Sequence, residues 1–236
     1  MGSEDLFHKR KARSNLESER KKAKRRPYEK ILIVCEGEKT EPIYFDEIRT
    51  YYELDSANVE IDGRCDSSPI SVVEYAYKEY LSSRVQGDPY DRVFCVFDKD
   101  AHSTYSYALT RVGLINDEIR KADPESNNIF TPVTSIPCFE FWLLLHFSPT
   151  TRPFVAVGNK SAGARLIDEL KTYVPDYKKS QKGHFLKSIE MNTLDFARQN
   201  SRRIYDESVR SGNDNPSTNI HKLVDVLINL KTKNTG

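Results

Sequence analysis

Two short runs constrain this chain more than any other feature: ILIVC (Ile31 to Cys35) and RVFCVF (Arg92 to Phe97). Past Arg92, both are apolar at every position, whereas a strand with one wet face would be apolar only at alternate positions. A strand of this kind needs cover on both faces, which calls for a parallel sheet sandwiched by helices. The sequence between and after them supplies the rest. Thr40 is placed to cap a helix whose first turn holds Glu41 and Pro42, and Ile43, Ile48, Tyr51 and Tyr52 follow at helical spacing. NVEID (Asn58 to Asp62) is a short strand, and Ser68-Pro69 opens a second helix with Ile70, Val73, Tyr77 and Tyr80 or Leu81 on one face. A third helix is predicted over 105–121 and a fourth strand over 129–136, IFTPVTSI. The order β-α-β-α-β-α-β, with right-handed crossovers, predicts an α/β fold.

The flanks differ from this middle. Residues 1–27 hold ten Lys/Arg against four Asp/Glu, 28–147 eleven against twenty-two, and 148–236 fifteen against nine. Basic flanks around an acidic middle suit a polyanion partner held over a cation site. The segment 1–27, with KRKAR and RKKAKRR and few apolar residues, reads as a flexible basic arm in which Arg25 and Arg26 are candidate phosphate contacts. Residues 28–147 read as the α/β core, ending in the apolar CFEFWLLLHF. The breaker cluster SPTTRP (Ser148 to Pro153) then opens a mostly helical region, 148–236, packed on the core, with helices over 162–172, 185–209 and 220–230. The longest apolar run, Phe141 to Leu145, is far short of the roughly 20 residues that span a bilayer. No apolar leader follows the basic start, and the four cysteines form no CxxC pair. A cytoplasmic protein without structural zinc or membrane contact is therefore expected.

Catalytic sites of parallel α/β sheets form at the carboxyl ends of the strands. Glu36 follows the first strand, with Gly37 behind it for a tight turn, and Asp98 and Asp100 follow the third. If the strand conformation continues, residues two apart point the same way, so the D-x-D pair would face one metal. Clustered carboxylates repel one another unless a cation neutralises them, and an oxygen-only set suits Mg²⁺ or Mn²⁺.

CEGEKTEPIYF, FCVFDKDAH, PCFEFWLLLHF and NPSTNIHKLV together resemble the RloB-like family from about residue 27 onward. The resemblance implies a core similar to the Toprim fold of topoisomerases, primases and OLD-type nucleases, whose acidic signature matches Glu36, Asp98 and Asp100. Glu140, after the fourth strand, is implied as a further acid of the nuclease-like branch. Bacterial phage defence beside an ABC-type ATPase is likewise implied. The expectation is a Mg²⁺- or Mn²⁺-dependent nuclease acting on RNA, such as transfer RNA, or on DNA.

Weaker candidates surround that set. Glu38 reads as a metal neighbour or a surface acid, and Glu41 as a partner of the helix dipole. Lys39 is a candidate phosphate contact or a balance to the acids. His102 is either a water-orienting group or an exposed loop histidine, and His146 a hydrogen-bonded core residue. Tyr177, Lys178 and Lys179 form a basic-aromatic cluster suited to a phosphate and a stacked base. Two other readings stay open: a haloacid-dehalogenase-like phosphatase using VFDKD, and a non-catalytic nucleic-acid-binding or ATPase-partner subunit. The sequence leaves the oligomeric state open.

Overall fold

The computed structural model describes residues 29–55, 58–65, 68–100 and 102–234. The basic arm, with Arg25 and Arg26, lies outside the described residues. Four strands run parallel: β1 (Ile31–Cys35), β2 (Val59–Asp62), β3 (Arg92–Asp98) and β4 (Phe130–Ile136). A two-residue β5 (Ser217–Thr218) pairs antiparallel with β4, and the order across the sheet is β2-β1-β3-β4-β5. The helices among the described residues are α1 (Thr40–Tyr51), α2 (Pro69–Val85), α3 (Tyr105–Ala122), α4 (Glu140–Leu144), α5 (Ala162–Tyr173), α6 (His184–Glu190), α7 (Leu194–Ser211) and α8 (Ile220–Asn234). None of these helices is long and apolar enough to cross a membrane.

The continuous apolar runs do what their pattern requires. Ile31, Ile33, Cys35, Phe94 and Val96 pack into a core with α1 and the C-terminal helices. Their alternates Leu32, Val34, Val93, Cys95 and Phe97 pack against α2 and α3. The C-terminal region therefore completes one face of the sheet: Leu166, Phe185, Ile204, Ile220 and Leu223 share a core with Tyr44, Phe45 and Trp142. Ser68 caps α2 by accepting from the Ser71 N–H at 3.3 Å, and Pro69 occupies the first turn, as the sequence indicates.

Three local features differ from the sequence reading. Thr40 does not cap α1. It is the first helical residue, Lys39 precedes it without a capping side chain, and the Thr40 hydroxyl donates instead to the Lys179 carbonyl at 2.5 Å. The helix expected over 185–209 is two helices, α6 and α7, broken where Asn192 takes a φ of 53°. Asn tolerates this left-handed conformation better than most residues, and the break turns the Thr193 hydroxyl to within 3.1 Å of His146 Nδ1. Finally, the chain before α8 forms β5 as well as a helix start. Asn219 extends that edge by side chain, accepting from the Thr134 N–H at 2.6 Å and donating to the Pro132 carbonyl at 3.1 Å. Two residues have no detectable strand periodicity, so only their pairing reveals them.

Candidate active site

β1, β3 and β4 end at the same edge of the sheet, and each delivers a carboxylate there. Glu36 lies one residue past β1 and is anchored by the backbone of the neighbouring strand: its Oε2 accepts from the Asp98 N–H at 3.0 Å. Asp98 closes β3 on the same side as Phe94 and Val96, and its Oδ2 accepts from the Phe139 N–H at 3.1 Å. Glu140 opens α4 just past β4 and is 1% exposed. The aromatic cluster of Tyr44 with Phe139, Trp142 and Phe185 at ring distances of 5.6–6.4 Å holds that corner against α1.

A fourth acid joins them from the first turn of α1. Glu41 is buried, and its carboxylate lies over Gly37, where an added Cβ would stand 2.6 Å from Glu41 Oε2. Gly63, past β2, is equally constrained, because a Cβ there would stand 2.6 Å from the Gly37 carbonyl and 2.8 Å from Pro42 Cγ. Gly63→Ala is therefore expected to push the Glu36–Lys39 turn outward and to cost about 1–3 kcal/mol, the usual range for overpacking. Urea unfolding checks the loss; an unchanged midpoint would mean that the turn yields freely.

Burial sets the electrostatics of the group. Desolvation lifts Glu36 above the usual carboxylate range, against the Asp98 N–H and His102, which favour the charged form. Glu41 is pushed up to about 7, first by desolvation and then by the Glu140 charge. Asp98 is raised well above its ordinary value by desolvation, with the charges of Glu41 and Glu140 adding to it. Asp62, at the end of β2, shows the opposite balance. Its burial is outweighed by hydrogen bonds from Arg64 and Tyr75, which hold its carboxyl below the usual range, so this strand-end acid is neutralised locally.

The candidate residues do not all converge. Glu36, Asp98, Glu41 and Glu140 come together. Asp100 stands at the rim: β3 stops at Asp98, and Asp100 is exposed in a turn with a φ of 27°, so strand alternation does not carry it inward. Its charge still reaches Glu36 and opposes ionisation there. Glu38, Lys39 and Lys178 are exposed around the site. His102 Nε2 lies 3.2 Å from Glu36 Oε1 while remaining 38% exposed, so it is both a loop histidine and a neighbour of the acids. The contact is not aligned as a hydrogen bond, and Glu36 Oε1 stays buried without a hydrogen-bond partner among the described residues. His146 is a core residue, kept neutral by burial, with its pKa lowered to about 3.

Tyr177 corrects the stacking expectation. It is 3% exposed, and its hydroxyl donates to Glu140 Oε1 at 2.8 Å, so its ring is not available to a base. Lys179 reaches the same oxygen, with Nζ at 3.3 Å. The roles of Tyr177 and Lys179 at Glu140 have no local sequence signal, since they depend on which loop crosses the strand ends, whereas Glu41 turns inward over the nearby Gly37.

Among the described residues, no three His, Cys, Asp or Glu side chains are gathered closely enough to hold an ion as they stand. The donor set nevertheless fits a hard divalent cation in chemistry. It consists of carboxylate oxygens, several raised in pKa by mutual charge and burial, with one buried oxygen unpaired.

A mostly parallel sheet covered on both faces, with acids from three adjacent strand ends and an exposed lysine reaching the most buried of them, defines an α/β protein with an acidic centre at its strand ends. The chain belongs to the RloB-like family: the model of RloB-like proteins matches residues 31–227, a span that contains all four acids and Lys179. No curated protein and no solved structure matches it.

Proposed function

We propose that this protein is a metal-dependent nuclease with a Toprim-like core, cleaving phosphodiester bonds of RNA or DNA with Mg²⁺ or Mn²⁺. The observation that carries the reading is the grouping of Glu36, Asp98 and Glu140 at three adjacent strand ends, with Glu36 Oε1 buried and without a hydrogen-bond partner among the described residues. Carboxylates so placed must be protonated or neutralised, and a nuclease that works on a polyanion supplies a reason to neutralise them with a cation.

When bound, a divalent cation would polarise the phosphodiester and ease deprotonation of an attacking water. Glu36 and Asp98 would hold it, Glu140 would back them, and Asp100 would complete the set from the rim. The Asp98 and Phe139 N–H groups each hold one oxygen of the two nearer carboxylates, and the side chains would draw together around the ion with Glu36 Oε1 free to turn toward it. His102, half in solvent beside Glu36, is placed to orient water or pass a proton at the mouth. Lys39 and Lys178 at the rim, together with the arm residues Arg25 and Arg26, would meet backbone phosphates. Family membership supports a place in phage defence with an ABC-type ATPase partner.

The test is incubation with labelled total RNA and with plasmid DNA in Mg²⁺, Mn²⁺ or EDTA, with and without the candidate ATPase. Cleavage that EDTA abolishes is the expected result. Binding without turnover in every combination would leave a nucleic-acid-binding subunit, and a trapped phosphoenzyme would point to a phosphatase.

Removal of residues 1–27 is expected to weaken nucleic-acid binding and flatten its salt dependence, by about 0.9 in log–log slope for each duplex phosphate that the arm no longer neutralises. Fluorescence anisotropy at salt concentrations from about 50 to about 200 mM measures it. An unchanged slope would reduce the arm to a solubilising tail.

A further inference from the structure

The segment between α5 and α6 crosses the strand ends and is fastened at several points. The Thr40 hydroxyl holds the Lys179 carbonyl at 2.5 Å, and the Tyr177 hydroxyl reaches Glu140 at 2.8 Å. Further along, the Gly183 and Phe185 N–H groups both donate to the Glu47 carboxylate on α1. The Phe185 ring packs edge-on against Tyr44 at 5.7 Å and Tyr51 at 5.6 Å. The backbone of this strap is therefore pinned to α1 midway, at Lys179, and at its end, at Gly183. The side chain of Lys179 is not pinned. It is 62% exposed, yet its ammonium stands 3.3 Å from the buried Glu140 carboxylate.

We propose that Lys179 is the built-in counter-ion of the acidic centre: without a divalent cation its ammonium balances Glu140, Asp98 and Glu41, and a divalent cation enters by displacing it. The inference rests on the metal-dependent reading of the site. The 3.3 Å approach puts its charge directly on Glu140, the most buried of the four acids. A single positive charge leaves a set of buried carboxylates only partly balanced, whereas a divalent ion offers twice the charge from a smaller sphere. A lysine suits a replaceable counter-ion, because its four-carbon stem can swing to solvent without moving the backbone. Tyr177 would stay on Glu140 as the lysine leaves, keeping that carboxylate oriented.

Mn²⁺ serves as the probe, with free ion measured by electron paramagnetic resonance on the full chain, without nucleic acid. Lys179→Met, which keeps length and removes charge, is expected to bind Mn²⁺ about two- to fivefold more tightly than wild type, the scale of one partly exposed ion pair. Lys179→Arg should stay near wild type. Tyr177→Phe, which disturbs the same strap without changing charge, should not share the gain. Wild-type protein offers a second measurement: amine labelling of Lys179 followed by mass spectrometry should speed up when Mg²⁺ is added. Equal or weaker Mn²⁺ binding by Lys179→Met, with wild type still binding, overturns the counter-ion and leaves the metal reading standing. Labelling of Lys179 that ignores saturating Mg²⁺ overturns it as well. Failure of both wild type and Lys179→Met to bind Mn²⁺ overturns the two together.

Discussion

Asp98→Asn and Glu36→Gln are each expected to lower cleavage by about a hundredfold or more while leaving the protein folded, because losing charge stabilisation by a metal costs several kcal/mol of barrier. Both amides keep an oxygen for the N–H group that the carboxylate now accepts from, Phe139 in one case and Asp98 in the other. Neither change leaves a backbone donor stranded, so folding should tolerate both. Binding of nucleic acid should be as tight as wild type or tighter, since repulsion of phosphate falls. Asp100→Asn, at the rim, should lose less than Asp98→Asn. Glu118→Gln is the control: it sits on α3 in contact with Arg111 and with Tyr77 of α2, on the other face of the sheet, and should change little. Normal cleavage by both strand-end variants at limiting Mg²⁺ would remove these carboxylates from the chemistry.

Relative to wild type, Glu41→Gln is expected to gain about 2–3 kcal/mol of stability as pH rises from about 5 to 8 in metal-free buffer. Glu41 has its folded pKa raised from 4.5 to about 7, chiefly by burial. Between those values the folded state binds more protons than the unfolded state, so stability is fully present below the unfolded pKa and is lost as pH rises through the folded one. Glu36 and Asp98 are shifted the same way and act in the same direction. Two buried histidines run against them. His146, lowered to about 3, and His221, lowered to about 4, are both desolvated, so their contribution is lost as pH falls below about 6.5. The wild-type curve alone therefore mixes the two effects, and the difference between variant and wild type cancels the histidines and leaves Glu41 with the acids coupled to it. Urea midpoints in EDTA at each pH supply it. A difference that does not grow with pH would mean that Glu41 is ionised at neutral pH without cost. Saturating Mg²⁺ should recover part of the wild-type loss at pH 8, because an ion bound only by the folded state stabilises it.

The sheet is legible in the sequence because its signal is local and redundant. Every position from Ile31 to Cys35 and from Val93 to Phe97 is apolar, and only a strand buried on both faces uses both parities. The two strand ends carrying Glu36 and Asp98 follow from the same pattern. Asp100 departs from its expected place because alternation holds only while the strand lasts, and the chain turns one residue after Asp98. The break at Asn192 escapes a sequence reading because helical periodicity on either side is good, and a single left-handed residue carries little compositional weight.

What the sequence determined by itself is the class of fold and the edge of the sheet where acids gather, since both depend on patterns within a dozen residues. Only the tertiary structure decided which groups share that edge. Glu41 turns inward because Gly37 leaves room for its carboxylate, and Lys179 and Tyr177 reach Glu140 because a strap from the C-terminal region is fastened to Thr40 and Glu47. The contacts of the strap join residues 37 to 139 positions apart, through loops without periodicity. The physical reason is that strands and helices are selected by local burial and backbone hydrogen bonding, whereas a buried charge finds its partner through the packing of the whole chain.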